Sequence, residues 1–372
     1  MYPTPENKVN ATSFRDPTTA WKLPDGRWRV LIGGKRGQRG LAMLYRSLDF
    51  VHWVKAKHSL YSDKLSGMWE CPDFFPVFGN GETTGVDTSV IGPNVKHDAY
   101  TPDIGFMNDS SLRYDYGKYY ASKTFFDDAK KERILLGWAN ESSSVEDDIK
   151  KGWSGIHTIP RKIWLDKSGK QLIQWPISNI ESLRQKPVNI NGKTIKGESQ
   201  FEADVEISFK IKDLKNVEKF DESWTNPQLV CSQKGASVKG GLGPFGLMTL
   251  ASKGLEEYTA VFFRIFKAYD NRLVVLMCSD QSRSSLNPTN DKTTYGTFVD
   301  VDPIREGLSL RVLIDHSVVE SFGARGKNVI TARVYPILAI NEKAHLYVFN
   351  KGTSDVEITG LTAWSMKKAH IA

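Results

Sequence analysis

An all-β protein in two parts is the fold class this sequence predicts, with propeller-type blades over residues 1–177, a connector over 178–195 and a β-sandwich over 196–372. Three observations lead to it. Short apolar or alternating runs are plentiful while helical periodicity is scarce, and alternation marks half-buried strands. In the first half the runs come in antiparallel sets, spaced about 40–50 residues apart as propeller blades are. Beyond about residue 196 the strands lengthen and follow one another across turns, as sandwich strands do.

The first set is "DGRWRVLIGG" (25–34), "GLAMLYRS" (40–47) and "FVHWVKAK" (50–57), separated by Gly or Asp turns. A second comprises "KYYASKTFF" (118–126) and "RILLGWANE" (133–141), and a third pairs "IPRKIWLD" (159–166) with "QLIQWPI" (171–177) across "KSGK". "ISNIESLRQ" (177–185) is the best short helix and reads as a connector. From 201, "FEADVEISFKI" alternates, and "YTAVFFRIFKA" (258–268), "RLVVLMCSD" (272–280), "LSLRVLIDHSVVESFG" (308–323), "VITARVYPI" (329–337), "AHLYVFNKG" (344–352) and "VEITGLTAWSM" (356–366) follow.

Composition narrows the function. The 372 residues are 40% hydrophobic and 25% charged, the balance of a water-soluble globular protein. No run of 18 apolar residues occurs, so no membrane-spanning helix is expected. The formal net charge of +7 permits adhesion to polyanions such as nucleic acid, anionic membranes or acidic polysaccharide, though a solvated basic surface is the commoner meaning of such a balance. The cations are scattered, though, and no helix-turn-helix, zinc-finger or RNA-recognition pattern accompanies them, so nucleic acid is not the expected partner. Aromatics make up 11% of the chain, including 10 Trp, which suits both stacking on sugar rings and wedging between strands. Cys71, Cys231 and Cys278 form no CxxC pair and the seven His are dispersed, so neither a metal nor a cofactor is implied. An oxidising compartment would allow a Cys231–Cys278 disulfide and would make Asn10, Asn108 and Asn140 glycosylation acceptors.

Chemistry concentrates in "GMWECPDFFPV" (67–77), where Glu70 and Asp73 stand among Trp, Phe, Pro and Cys. An apolar setting penalises a carboxylate charge and suits Glu70 to proton donation. "SFRDPTTAW" (13–21) sets Arg15 beside Asp16 just before a stiffening Pro, and the adjacent cation favours an ionised Asp16. Two carboxyl groups in opposed environments divide the roles of a glycosidase. Unaided, "RDP" reads equally as a structural salt bridge at a turn.

"FRDPTTAW", "MWECPDFFPV", "GWANESSSVEDDIKKGWSGIHTIPRKIWLD" and "RVYP" (333–336) closely resemble plant acid invertases and fructan exohydrolases, the β-fructosidases of glycoside hydrolase family 32. Pro72 within "ECPD" is similar to the cell-wall group. The resemblance implies a five-bladed propeller with its active site at the central funnel, a lectin-like sandwich, and a Cys231–Cys278 pair within that sandwich. By the same resemblance Glu70 is the general acid/base, Asp16 and Arg15 engage the fructose hydroxyls, Asp73 supports, and Cys71 tunes the pocket around Glu70. The implied substrate is a terminal β-fructoside, sucrose or fructan, cleaved with retention.

Departures from the pattern set further expectations. Relatives carry their nucleophilic Asp in an "NDPNG"-type segment well before "FRDP"; 13 residues precede Phe14 here, and no such segment occurs in the chain. "GPNVKHDAYTPDIGF" (92–106) skips an expected hairpin, and "KGESQFEADV" (196–205) is shortened at the sandwich entry. At about 40–50 residues per blade, residues 1–177 hold three to four blades. These features predict an N-terminally truncated or spliced product that is inactive as written, with a non-catalytic sugar-binding or decoy protein as the alternative. The family points to the apoplast and acidic wall polysaccharide. A chain starting at Met1 without a signal peptide would stay in the cytosol.

Overall fold

Residues 28–47 show how the first half is built. Apolar runs, "VLI" before and "LAMLY" after, flank "GGKRGQRG", and Gly37 adopts φ +61°, a backbone state glycine reaches without strain. The chain therefore reverses into an antiparallel hairpin of β3 (Trp28–Arg36) and β4 (Arg39–Ser47), in register from Trp28 opposite Ser47 to Arg36 opposite Arg39. A computed structural model describes residues 9–64, 66–88, 112–188, 194–196 and 202–368. Asn108, the stretch 92–106 and residues 197–201 lie outside those described. Two units are formed: Met1–Gly105, Ala121–Gly137 and Pro160–Lys170 make the first, and Phe106–Tyr120, Trp138–Ile159 and Gln171–Ala372 the second.

In the first unit β1 (Phe14–Arg15) and β2 (Trp21–Lys22) pair with β3, while β5 (Val54–Lys55) and β6 (Tyr61–Asp63) pair with β4. One face of this sheet buries Val30, Ile32, Leu41, Met43 and Tyr45, the other Leu31, Ala42 and Leu44. Each of the Val, Ile, Leu and Met side chains among them contributes about 1.5–3 kcal/mol of burial. The strand expected over 50–57 shrinks to two residues for a local reason. Asp49 Oδ1 accepts the backbone N–H of Val51 (2.9 Å) and of His52 (2.8 Å), a turn that outcompetes extension. A further sheet contains β7 (Tyr120–Asp127), β8 (Glu132–Ala139) and β10 (Arg161–Leu165). Arg161 pairs with Leu135 and Lys162 with Ile134, so the second and third strand sets of the sequence share one sheet.

The second unit is centred on two sheets. Helix α1 (Val145–Lys151), capped reciprocally by Ser144 and Asp147, precedes β9 (Ile156–His157), and β11 (Leu172–Pro176) leads to a 3-10 helix at Ser178–Leu183 where a short helix was expected. The segment read as a connector supplies β12 (Arg184–Val188) and β13 (Thr194–Lys196), one edge strand to each sheet. One sheet then uses β14 (Glu202–Ile211), and the other receives β15 (Glu218–Lys219). Helix α2 (Pro227–Gln233) follows, then β16 (Leu242–Ala251), β17 (Thr259–Lys267), β18 (Leu273–Asp280) and β19 (Tyr295–Val299). The chain closes with β20 (Leu308–Asp315), β21 (Val318–Gly323), β22 (Asn328–Arg333), β23 (His345–Asn350) and β24 (Val356–Met366). The sheet orders are β12-β24-β14-β20-β21-β22 and β13-β23-β16-β17-β18-β19. Ile207, Phe209, Phe245, Phe263 and Met277 meet in one buried cluster drawn from both sheets. Cys231 on α2 is joined to Cys278 on β18 by a disulfide across a Cα–Cα distance of 5.6 Å.

Candidate active site

Glycine builds this site. β1 lies against β3 with Phe14 opposite Gly34 and Arg15 opposite Gly33. A Cβ on Gly33 would collide with the Trp69 carbonyl oxygen and sit 3.1 Å from Pro72 Cδ and 3.3 Å from the Arg15 carbonyl. The missing side chain therefore lets three stretches meet: "FRDP", the β3 strand and "WECP". Backbone bonds from Gly67 N–H to Gln38 O (3.2 Å) and from Trp69 N–H to Gly34 O (3.3 Å) lay the second motif along the hairpin. Tyr61 and Trp69 hold it edge to face at 4.6 Å, and Trp21 and Phe74 form a tilted pair at 5.0 Å.

Asp16, Cys71, Glu70 and Arg15 converge there. Asp16 (φ +60°) and Cys71 (φ +45°) both occupy left-handed backbone, which is costly for residues with a Cβ and is commonest at functional sites. The Cys71 N–H donates to Asp16 Oδ2 at 3.0 Å, and its thiol lies 3.7 Å from the same oxygen. Burial pushes the Cys71 thiol above its usual range and the Asp16 charge adds to that, which disfavours the thiolate. Arg15 donates to Glu70 Oε1 and to the Thr12 carbonyl, while its Nε stands 3.9 Å from Asp16. Sequence adjacency paired Arg15 with Asp16; the closer partner is Glu70. The two carboxylates keep 30% and 29% of their side-chain surface, enough for a ligand to reach both.

Asp73 has another task. Its Oδ2 accepts the Thr124 N–H at 2.7 Å and its Oδ1 the Phe74 N–H at 3.1 Å, while Lys123 Nζ donates to the Pro72 carbonyl at 2.8 Å. β7 thus clamps the segment immediately after Glu70. Gly33, Lys123 and Thr124 escape sequence reasoning, because a strand glycine or lysine carries no local mark of what crosses it. Asn10 and Asn140 are both exposed; Asn10 Oδ1 caps the turn by accepting the Thr12 N–H at 3.0 Å.

A second polar cluster joins two of the motifs quoted from the sequence. Glu141, with 4% of its side chain exposed, receives Arg333 Nη1 (2.9 Å), Lys151 Nζ (2.9 Å), the Gly155 N–H (2.8 Å) and the Tyr335 hydroxyl. Burial alone would raise its pKa, but these donors outweigh it and hold the carboxyl below the usual range. "GWANESSS" and "RVYP" are therefore two halves of one buried ion cluster.

Comparison with known proteins identifies the family of the chain. The signature described as "Glycosyl hydrolases family 32 N-terminal domain" matches residues 1–176, and "Glycosyl hydrolases family 32 C terminal" matches 177–365. A fructan 6-exohydrolase of Beta vulgaris is 59% identical over 99% of this chain and 66% of its own length. An insoluble β-fructofuranosidase isoenzyme of Arabidopsis thaliana is 57% identical over 100% of this chain and 70% of its own. The chain thus spans about two thirds of the length of the curated relatives it matches. The crystal structure of fructan 1-exohydrolase IIa from Cichorium intybus superposes with a TM-score of 0.94 at 47% identity, covering 99% of this chain and 74% of that one. Such structural neighbours have a β-propeller followed by a β-sandwich, which is the all-β architecture the sequence predicts.

Proposed function

The chain belongs to glycosyl hydrolase family 32, and from that membership we propose a site for the non-reducing fructosyl unit of sucrose or a fructan. Glu70 is the general acid/base, Asp16 binds the fructosyl hydroxyls, Arg15 orients both, and Asp73 positions the Glu70 segment through β7. The observation that carries the reading is the convergence of Glu70, Asp16 and Arg15, all partly open to solvent, in a strained backbone setting. The 1-kestose complex of the Cichorium enzyme supports a small β-fructoside as ligand.

Retaining hydrolysis needs a second carboxylate about 5 Å from the acid to attack the anomeric carbon. A second reading, sugar binding without turnover, is favoured by the Arg15 guanidinium seated on Glu70. We also propose domain limits of 1–177, 178–195 and 196–372, supported by family signatures that meet at residues 176 and 177. Attachment to acidic wall polysaccharide is supported by the net charge of +7 and by a Pisum sativum relative named a cell-wall isozyme. Asn10 and Asn140 are then glycan acceptors, both being exposed.

One experiment separates the two readings: fructose release from sucrose and 1-kestose by the purified chain and its Glu70→Gln variant, with calorimetric binding alongside. Release abolished in the variant supports hydrolysis. Binding without release supports the second reading, and the absence of both overturns the site.

A further inference from the structure

Residues 70–73 are held from two sides. On one, the Cys71 N–H donates to Asp16 Oδ2 at 3.0 Å and Arg15 donates to Glu70 Oε1. On the other, β7 makes two contacts in succession: Lys123 Nζ donates to the Pro72 carbonyl at 2.8 Å, and the Thr124 N–H donates to Asp73 Oδ2 at 2.7 Å. The middle of the run needs this support most. Cys71 stands at φ +45°, a state that persists in a residue with a Cβ only where its surroundings over-determine it. Pro72 is buried and has no N–H, so its carbonyl is the one backbone group by which it can be held. Lys123 holds it.

The two β7 contacts differ in kind. Asp73 uses a backbone N–H, which every residue except proline would offer at position 124. The Pro72 contact depends on the side chain at 123, and that side chain is partly buried and charged. Its charge reaches the turn. Burial, the charge and hydrogen bond of Asp16 and the charge of Glu70 push the Cys71 thiol upward, while the Lys123 ammonium pulls it the other way.

We propose that Lys123 is a positioning residue for Glu70: by holding the Pro72 carbonyl it fixes the turn at residue 71, and with it the placement of the Glu70 carboxyl relative to Asp16. The inference rests on the reading of Glu70 as the general acid/base and adds the β7 side chain that keeps that acid in place.

Cys71, the free thiol among the described residues, reports on the turn without any sugar. The test follows its alkylation by iodoacetamide across the alkaline pH range in the unaltered chain and in Lys123→Arg, Lys123→Gln and Lys123→Met. Lys239→Gln, at an exposed position of the second unit, is the control for lost charge. The midpoint of the profile reads the field of the ammonium, and the limiting rate at high pH reads how firmly the turn is held. Arg should leave both near their original values. Gln keeps a donor and loses the charge, so its midpoint should rise by about half a unit. Met loses both, and its limiting rate should rise by about threefold or more as the turn opens. A limiting rate unchanged in Met overturns the clamp, and midpoints unmoved in Gln and Met alike remove Lys123 from the turn and overturn the proposal. Should Met fail to fold, the Gln midpoint decides. Where the unaltered chain releases fructose from sucrose, Met should lower kcat by about tenfold or more with little change in KM, and Arg should restore it; an unchanged kcat overturns the proposal. A chain that neither binds nor cleaves 1-kestose overturns the acid/base reading and, with it, the service of Lys123 to Glu70, while the Cys71 profiles still decide whether Lys123 holds the turn.

Discussion

Replacing Gly33 by Ala tests whether a bare strand position holds the site together. The added methyl would meet the Trp69 carbonyl oxygen, Pro72 Cδ at 3.1 Å and the Arg15 carbonyl at 3.3 Å, and two of these three contacts are backbone that no rotamer change can clear. The Trp69 segment must retreat by roughly 1 Å before that contact becomes ordinary. Overpacking of this kind costs about 1–3 kcal/mol. Gly79 is the internal control, since its Cβ would meet nothing within 4 Å and its φ is not positive. There Ala should stabilise by about 0.4–1 kcal/mol through the unfolded chain. Opposite signs are thus expected from one chemical change. Urea unfolding supplies the first readout, and alkylation of Cys71, the free thiol among the described residues, supplies the second. Displacing "WECP" from "FRDP" breaks the Cys71 N–H bond to Asp16 and exposes the sulfur, so Gly33→Ala should react faster. A Gly33→Ala protein as stable as Gly79→Ala, with unchanged Cys71 reactivity, refutes the reasoning.

Three further outcomes follow from the same structure. Because burial and then the Asp16 charge raise the Cys71 thiol, iodoacetamide at pH 8 should alkylate it more slowly than an exposed cysteine, and Asp16→Asn should speed the reaction; equal rates would show that Asp16 exerts no such field. Glu141→Gln should cost about 3–5 kcal/mol, the range for breaking a buried ion cluster, read by urea unfolding. Since the folded pKa of Glu141 is lowered, its contribution is present above the ordinary value of 4.5 and is lost as pH falls below it toward the folded value, so the variant should flatten stability in that acid window. Replacing Cys231 and Cys278 together by Ala opens a loop with a sequence separation of 47 residues. The chain-entropy relation puts the cost at about 4 kcal/mol, visible as a lower urea midpoint.

Sequence reading reached what local chemistry can express. Apolar runs on either side of a Gly-rich turn located the β3–β4 hairpin, and the carboxylates set in apolar context marked Glu70. It missed β16 because "LGPFGLMTLA" carries two glycines and a proline, which read as turn, although all ten positions are buried in the interior of a sheet. It missed α1 despite a legible sign, the Ser144-x-x-Asp147 box that caps it. Other features had no local sign at all. Glu257 is fully buried and accepts backbone N–H groups from Leu286 (2.7 Å), Ile337, Leu338 (2.6 Å) and Ala339 (3.2 Å), tying down loops far apart in sequence. Nothing near residue 257 announces those partners, since what selects a buried carboxylate there is the set of unpaired amides that the fold assembles around it.

The partner of Arg15 makes the same point at the site itself. Adjacent residues of a strand point to opposite faces, so Arg15 and Asp16 would diverge if the chain stayed extended. Asp16 instead turns out of β1 at φ +60°, which aims its carboxylate at the Cys71 N–H and leaves Arg15 to close on Glu70. One cation thereby spans both carboxylates, in contact with Glu70 and 3.9 Å from Asp16. On the proposed reading, a fructosyl unit entering between them would exchange its hydroxyls for part of that guanidinium contact, and proton donation by Glu70 to a leaving oxygen would require Arg15 to give way. Under that proposal Arg15 would couple sugar binding to the availability of the acid, and the contact it uses is set by the left-handed turn at Asp16 and not by the order of residues in "FRDP".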